Sequence, residues 1–404
     1  MGATEKPVWV WLPEKHTPIQ CGVFSLKNKV GTFHYLPEYK ERKDALALDP
    51  LNLPITRSTR GLKETRQDGL FGVFRDASPE GFGLAMLEHL QNRTLSDPML
   101  RLELSEGDAV GAVEVCDDIS AKCQFRAPTL DELRAALASL PAERASSAAA
   151  REIKGLHGTS LGGERPKLTV VHRGQQWIAK MQDRGDPPHA PLREYMAMRL
   201  AKRCGIHAAE VELMLVEERE VILVRRFDRH IDDKGRLSRK LYASAHTVLR
   251  LDNQVRGEKV RSYIALAYEL RRWCGRAQKD VNALQQELWR RMAFNAIIGN
   301  GDDHPRNHGL IFDQGGWTLS DAFDIAPYFL FGKTLAMAIT RDGNMAATAA
   351  NLLASCESFG LDRHTANRFI ESAKETIRAN WTQELTAVGL DPHTLAMPDF
   401  HWLE

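Results

Sequence analysis

A short polar segment, NGDDHPRNHGLIF, occupies residues 300–312 and carries two aspartates, two histidines and two asparagines. Apolar runs precede and follow it, so we predict a loop that is held between buried elements and can aim its side chains. Asp302 and Asn307 lie five positions apart, the spacing at which phosphoryl-transfer sites present a proton acceptor and a metal ligand. The alternative interpretation is a plain polar turn, because Asn, Asp and Gly are common turn formers.

Two further side chains could complete such a site. Asp324 follows the strand-like segment WTLS, and a carboxylate there could hold a metal ion that bridges nucleotide phosphates. Mg²⁺ takes only one or two ligands from protein side chains, so Asn307 and Asp324 would suffice. Lys180 lies near the end of a predicted strand after a glycine-rich turn and could contact phosphates. Taken alone, that element is better explained by an ordinary hairpin with a solvated lysine.

The N-terminal third of the chain is predicted to consist of strands and short helices. Short alternating runs over residues 7–36, and the run EGDAVGAVEVC at 106–116, are typical of strands separated by turns. Between them, SPEGFG at 78–83 has the features of a turn that starts an amphipathic helix. These segments predict one N-terminal unit that ends near residue 120.

The rest of the chain is predicted to change from strands to helices. Thr129 and Glu132 have the spacing of a capping box at a helix start. Farther along the chain, QWIAKM is predicted to be the second strand of a hairpin and contains Lys180. This order of elements is that of an α+β protein with two lobes rather than a regular alternation of strands and helices. The predicted elements are strands at 168–171 and 176–181, a helix at 191–205, strands within 211–230, and helices over 240–299 and after 345.

The composition limits the class of protein. A chain of 404 residues exceeds one ordinary core and predicts two domains. A net charge of +1 neither favours nor excludes nucleic-acid binding. We expect no membrane association, because no apolar stretch has the length of a membrane helix and the charged N-terminus is unlike a secretory signal. The six scattered cysteines form no CxxC pair, which predicts reduced thiols and a cytoplasmic location.

Four stretches of the chain, in order, resemble those of the HipA family, the serine/threonine-kinase toxins of bacterial HipBA toxin–antitoxin modules. FGVFRDASPEGFG (71–83) is similar to the family's N-terminal signature, and GTSLGGERPKL (158–168) is similar to its S-x-G-G-x-x-P-K loop. LVRRFDR (223–229) is similar to the segment that joins the lobes. NGDDHPRNHGL and DAFDIAPY are similar to the catalytic loop and the metal-binding segment that follows it. The resemblance implies a two-lobed protein-kinase-like fold.

The resemblance also implies roles for individual residues. It implies that Asp302 is the catalytic base and that Asn307 and Asp324 are the Mg²⁺ ligands. Ser160 matches the serine that family members autophosphorylate, where a phosphate of about −1.5 to −2 charges would occupy the site of the ATP phosphates. The residues implied to bind ATP are Lys180, Ser160, Gly162, Gly163, Phe227, Arg225 and His304.

Several neighbouring residues have roles that the sequence leaves open. Glu194, in the predicted helix after the strand lysine, either pairs with that lysine or lies exposed on the helix surface. Asp303 is expected to face solvent, and a contact with the metal is the alternative. His304, besides its implied contact with ATP, is expected to be a structural residue of the loop rather than a proton carrier. Asp228 and Arg229 are expected to brace the junction of the lobes.

Three units and one function are predicted from these features together. Residues 1–125 are predicted as a β-rich N-terminal subdomain, 126–230 as the rest of the N-lobe, and 231–404 as a mostly helical C-lobe. The resemblance implies a protein kinase that uses Mg²⁺ and ATP, inhibits translation and growth, and targets a protein such as an aminoacyl-tRNA synthetase. It implies a HipB-like helix-turn-helix antitoxin as partner, with operator DNA reached only through that antitoxin. Two alternatives stay open, a catalytically weak corepressor that acts through antitoxin binding and a small-molecule phosphotransferase.

Overall fold

The computed structural model describes most of the chain. Of the residues singled out above, Ser160, Gly162 and the glycine-rich turn before Gly163 lie outside the described part. The described residues are 4–139, 163, 165–183, 185–217, 219–252, 260–275, 280–327 and 334–404.

An antiparallel sheet forms the centre of the N-terminal unit, with the described strands in the order β4-β3-β2-β1-β5. Phe24 and Phe33 project from this sheet onto Phe71 and Phe74, and the ring centroids lie 5.0–6.4 Å apart. Tilted and edge-on pairs at such distances suit the charge distribution of aromatic rings. The strands are β1 (Thr4–Val10), β2 (Ile19–Lys27), β3 (Val30–Tyr35), β4 (Leu62–Glu64) and β5 (Val113–Val115).

Short helices cover this sheet and connect it to the next unit. The predicted capping box is confirmed, since the Thr129 side chain accepts from the Glu132 amide and the Glu132 carboxylate accepts from the Thr129 amide. The predicted helix start at SPEGFG is also confirmed, at Gly81. The helices are Pro37–Lys40, Gly72–Asp76, Gly81–Gln91, Pro98–Leu104, Ile119–Cys123 and Leu130–Ala138, with a 3-10 turn at Gln67–Gly69.

A second antiparallel sheet carries Lys180, and its described strands follow the order β6-β7-β9-β8. The long helix Ala190–Arg203 follows β7 and packs on this sheet. Helix residues such as Phe82 and Leu133 pack against the apolar side chains of the same sheet. The strands are β6 (Lys167–His172), β7 (Gln175–Met181), β8 (Val211–Val216) and β9 (Arg219–Arg225).

The C-terminal part is mostly helical but also contains short strands. The prediction of helices from residue 240 onward is wrong at its start, where β12 (Tyr242–Ser244) pairs with β13 (Gly309–Asp313). A strand of three residues is too short to show an alternating pattern. The other strands are β10 (Arg229–Ile231), β11 (Leu237–Arg239) and β14 (Gly316–Leu319). The helices are Ala245–Val248, Tyr263–Cys274, Val281–Ile298, Ala349–Ser355 and Arg363–Ala387, with 3-10 turns at Pro305–Asn307, Cys356–Phe359 and His401–Leu403.

The α+β fold class is therefore confirmed, with a β-rich N-terminal part and a mostly helical C-terminal part. One continuous apolar core runs from the first sheet to the C-terminal helices, so the N-terminal unit is not a loosely tethered addition. All six cysteines are free thiols. Among the described helices, none combines the length and the apolar character needed to cross a membrane. The unit boundaries at 125 and 230 stay predictions.

Candidate active site

The polar loop begins where a buried helix ends and closes where a buried strand begins. The helix Val281–Ile298 ends at Gly299, whose φ of 77° lies in the left-handed region that glycine adopts readily. The His304 amide donates to the Asp302 carbonyl at 2.8 Å, and the Asn307 amide donates to the His304 carbonyl at 2.9 Å. The Asn307 Nδ2 atom donates to the same Asp302 carbonyl at 3.2 Å. With Nδ2 so engaged, the amide Oδ1 is the atom that Asn307 can offer a cation.

Asp303 is buried, so the prediction that it faces solvent is wrong. Its Oδ2 atom accepts from the Tyr263 hydroxyl at 2.5 Å, from Asn295 Nδ2 at 2.7 Å and from His308 Nε2 at 2.9 Å. Only 2% of Asp303 is exposed, and its three partners are buried as well. Asp303 therefore anchors the loop from beneath, while its neighbour Asp302 remains exposed.

An Asp303→Asn variant should lose about 2–3 kcal/mol of unfolding free energy. The substitution removes a charged acceptor, and the new amide NH₂ group can be placed against a side chain that is itself a hydrogen-bond donor. Chemical denaturation monitored by circular dichroism measures this change. Asp313→Asn is the matched control, since Asp313 lies more openly at the end of β13 and pairs with Lys240 at 3.1 Å. Equal effects of the two substitutions would contradict the anchoring role.

Lys180 joins two carboxylates that are far apart in the sequence. Its Nζ atom lies 2.6 Å from Glu194 Oε1 and 2.6 Å from Asp324 Oδ1. Glu194 is 1% exposed on the helix that packs against β7, so the ion-pair alternative for this residue is confirmed. The strand, the helix and the segment after β14 thus converge on one ammonium group.

Asp324 is the member of this cluster that can also reach a ligand. About a third of its side chain, 31%, remains accessible to solvent, against 10% for Lys180. Its φ of 58° is a left-handed conformation, which aspartate tolerates better than most residues. Burial alone would raise the pKa of Asp324, but Lys180 and Lys167 outweigh it and hold the pKa well below its usual range. The carboxylate therefore stays ionised, which is the form of aspartate that can bind a cation.

The pKa of Asp302 is shifted in the opposite direction. Asp302 is exposed, but the protein atoms of the cleft around it displace part of its hydration water. This desolvation disfavours the charged form and raises the pKa of Asp302. His304 lowers the pKa by less, and the negative charge of Asp324 raises it further. A carboxylate with a raised pKa is a better proton acceptor at a given pH where it is ionised.

These residues line one cleft with a volume of about 1340 Å³. Pockets for small molecules usually have about 300–1,000 Å³, so the cleft can hold a nucleotide and part of a second molecule. The wall formed by the second sheet includes Ile178, Lys180 and Val224, and the floor includes Asp302, Asn307 and Asp324.

The remaining predicted ATP-binding residues lie around the same cleft where the structure describes them. Phe227 is half-buried and packs on Phe323 with ring centroids 5.3 Å apart. Arg225 is exposed and pairs with Glu210 at 3.1 Å. His304 lines the cleft, and its Nδ1 atom is buried without a hydrogen-bond partner among the described residues.

Gly163 and Lys167 define the part of the cleft nearest the glycine-rich turn. Gly163 has a φ of 98°, and a Cβ atom there would lie 2.5 Å from Lys167 Nζ. Burial and the neighbouring Lys180 lower the pKa of Lys167 to about 8. The sequence analysis did not identify Lys167 as a site residue. Lys167 on β6 is the direct cross-strand partner of Lys180 on β7, so the register of the predicted hairpin was the signal that could have identified it.

A second group of missed residues comes from the N-terminal unit, since Arg75, Asp76, Ser78 and Glu80 also line the cleft. No local signal in that segment points to a site made by residues more than a hundred positions later.

At the lobe junction, Asp228 and its neighbouring arginines do form the predicted brace. Asp228 accepts from the Gly111 amide at 2.8 Å and from Arg229 Nη1 at 2.7 Å.

The donor set of the cleft suits a hard divalent cation. Among the described residues, no cluster of three or more histidine, cysteine or acidic side chains forms a preassembled metal centre. Asp324 and Asn307 together offer one carboxylate and one amide oxygen. Mg²⁺ accepts such oxygen ligands and completes its octahedral shell with water or phosphate oxygens.

Comparisons with known proteins agree across the two halves of the chain. The family model described as HipA-like C-terminal domain matches residues 159–381, and that described as HipA N-terminal domain matches residues 10–116. The chain resembles the serine/threonine-protein kinase toxin HipA of Shewanella oneidensis, with 24% identity over 240 residues that cover 51% of this chain and 52% of the relative. It also resembles the putative kinase Y4dM of Sinorhizobium fredii, with 26% identity over 236 residues that cover 52% and 53% of the two chains. The chain therefore spans about half the length of these curated relatives in the matches.

A solved structure extends the similarity of fold to nearly the whole chain. A chain of the Shewanella oneidensis MR-1 complex of HipA, HipB and operator DNA superposes with a TM-score of 0.67 and 20% identity. The match covers 97% of this chain and 91% of that chain.

Proposed function

The chain belongs to the HipA family, and from that premise we propose that it is a protein kinase that transfers the γ-phosphoryl group of ATP to serine or threonine. The observation that carries the proposal is the convergence of three elements on one cleft. Lys180 lies 2.6 Å from both Glu194 and Asp324, and the loop with Asp302 and Asn307 lines the same cleft. Phosphoryl transfer depends mostly on positioning and charge neutralisation, and these residue types supply both.

In the proposed arrangement, the nucleotide lies between the second sheet and the polar loop. Lys180 and Lys167 would contact the phosphates, and the backbone around Phe227, between Arg225 and Asp228, would hold the adenine. Gly163, with Gly162 and Ser160 before it, would approach the phosphates from the glycine-rich turn. His304, which lines the cleft, would reach the nucleotide from the loop.

Asn307 and Asp324 would hold Mg²⁺, which neutralises charge on the phosphates when it is bound. Asp324 is suited to this role because Lys180 and Lys167 keep it ionised while part of its side chain remains accessible. Asp302 would accept the proton of the attacking hydroxyl as the oxygen–phosphorus bond forms. The hydrogen bonds from His304 and Asn307 to the Asp302 carbonyl fix its backbone for that step.

We assign the finer parts of the function on the same premise. Ser160 would be the autophosphorylated serine, and its phosphate would compete with the ATP phosphates for the lysines. The external substrate would be a protein, and the family resemblance favours an aminoacyl-tRNA synthetase, whose modification would arrest translation and growth. A HipB-like antitoxin would be the partner, and operator DNA would be reached through it.

Calorimetric titration with a non-hydrolysable ATP analogue tests the nucleotide site. Binding should require Mg²⁺ for full affinity, and Lys180→Met should weaken it about tenfold or more, since a hydrogen bond to a charged group contributes about 1.5–3 kcal/mol. Lys374→Met is the matched control, because Lys374 pairs with Glu371 on a distant helix. Thermal unfolding of both variants checks that each is folded. Binding that is insensitive to Mg²⁺ and to Lys180 would contradict the proposal.

A further inference from the structure

The segment of residues 75–82, here called the bridging segment, links the N-terminal unit to the cleft. The Asp76 carboxylate accepts from the Ser244 amide at 2.7 Å and from the Ser244 hydroxyl at 2.7 Å. Ser244 ends β12, and the next amide, that of Ala245, donates to the His308 carbonyl at 2.8 Å. The bridging segment therefore contacts the strand that lies beside the end of the polar loop.

The other end of the bridging segment contacts Gly163. The Phe82 amide donates to the Gly163 carbonyl at 2.9 Å, and the Phe82 ring packs in the apolar cluster of the second sheet. The bridging segment thus runs along the cleft from the side of the polar loop to the side of the proposed phosphate site. Its residues Arg75, Asp76, Ser78 and Glu80 form part of the cleft wall.

Glu80, between these two ends, forms an ion pair with Arg306 of the polar loop. Arg306 Nη2 donates to Glu80 Oε1 at 3.3 Å, and Nη1 pairs with Oε2 at shorter range. Glu80 precedes the helix Gly81–Gln91 as its N-cap residue, yet its side chain makes no capping hydrogen bond to that helix. The side chain is instead directed to a residue 226 positions away.

Arg306 is the residue directly before Asn307, in the 3-10 turn Pro305–Asn307. That turn is held to Asp302 by a few local hydrogen bonds, and Arg306 itself is exposed. A tether from outside the loop would restrict the positions that the turn can adopt. We propose that Glu80 is a positioning residue, which acts through Arg306 to hold the turn with Asn307 in its place relative to Asp302.

This inference rests on the proposed function for its meaning in catalysis, but the tether itself is testable on the free protein. The side chains of Arg306 and Glu80 are 41% and 29% exposed, so their interaction is modest and sensitive to salt. An exposed ion pair of this kind shifts a local equilibrium by about two- to five-fold. Such a shift changes the free energy of unfolding of the whole protein very little. It is large enough to measure as a change in the opening of the loop.

Hydrogen–deuterium exchange of the peptide over residues 300–308 measures the tether directly. Glu80→Gln should speed exchange of the His304 and Asn307 amides about two- to five-fold at low salt, and high salt should narrow the difference. Glu371→Gln is the matched control, since it breaks the ion pair with Lys374 far from the cleft. It should leave exchange of this peptide as in the wild type.

A charge exchange tests whether Arg306 is the partner through which Glu80 acts. Glu80→Arg alone should speed exchange at least as much as Glu80→Gln, and the double variant Glu80→Arg, Arg306→Glu should bring it back toward the wild-type rate. In phosphate-transfer assays, Glu80→Gln should lower kcat/KM for ATP about two- to five-fold, with the same partial rescue in the double variant.

The outcomes separate this inference from the proposed function. If Glu80→Gln and Glu371→Gln exchange alike, or if the double variant shows no rescue, the positioning role of Glu80 is wrong. If the wild type transfers no phosphate, the proposed function is contradicted, and the exchange comparison still decides the tether. Faster exchange in Glu80→Gln with rescue in the double variant, together with a parallel loss and rescue of kcat/KM, supports both.

Discussion

An Asp324→Asn variant is expected to lose at least about 10³-fold in kcat for phosphate transfer, because a bound divalent metal supplies several kcal/mol of transition-state stabilisation. Asparagine keeps the size of the side chain and removes the charge that Lys180 and Lys167 now hold ionised. Lys180 would keep Glu194 as its remaining buried partner at 2.6 Å. Initial rates over a series of Mg²⁺ concentrations measure the loss and show whether the requirement for metal has changed.

Asp321→Asn is the matched control for this prediction. Asp321 precedes Asp324 by three positions in the same segment, but it is exposed and does not line the cleft. Its replacement removes one negative charge nearby and should leave the rate within a few-fold of the wild type. The assignment of Asp324 as a metal ligand is wrong if Asp324→Asn keeps the wild-type dependence on Mg²⁺.

An Asp302→Asn variant is expected to lose about 10²–10⁴-fold in kcat, the usual contribution of a positioned proton acceptor. The loss should appear in kcat with little change in the affinity for ATP, because Asp302 would contact the attacking hydroxyl and not the nucleotide. Its raised pKa, caused by burial in the cleft and by the charge of Asp324, suits this role. Single-turnover rates, compared with the calorimetric affinity for the ATP analogue, separate the two effects.

Asp313→Asn controls for the loss of a carboxylate near the cleft, since Asp313 pairs with Lys240 at the end of β13 and does not line the cleft. It should retain wild-type rates. If Asp302→Asn weakened ATP binding and left kcat intact, the assignment of Asp302 as proton acceptor would fail.

The sequence could predict those features of the site that depend on local spacing. Asp302 and Asn307 lie in one loop, and the flanking apolar runs correctly indicated buried elements on both sides. The strand with Lys180 and the helix with Glu194 were also predictable, because apolar residues recur with a different period in strands and in helices. Whether Glu194 faced the strand was left open, since the side of a helix that is buried depends on what packs against it.

Other features depend on contacts between distant parts of the chain. Asp303 looked like one more polar loop residue, and its burial depends on donors from Tyr263 and Asn295, which lie on two different helices. The pairing of Glu80 with Arg306 spans 226 positions and has no periodic signal in either segment. Such contacts are set by the packing of whole units, which local propensity does not encode.

The measurement that tests the central claim most directly is intact-mass spectrometry of the protein after incubation with Mg²⁺ and ATP. We predict that the unmodified wild type gains one phosphate, that the gain requires Mg²⁺, and that Asp302→Asn gains none. Fragmentation of peptides from the product should place the phosphate at Ser160. A wild type that starts unmodified and gains no phosphate under these conditions would contradict the account of this cleft as a phosphoryl-transfer site.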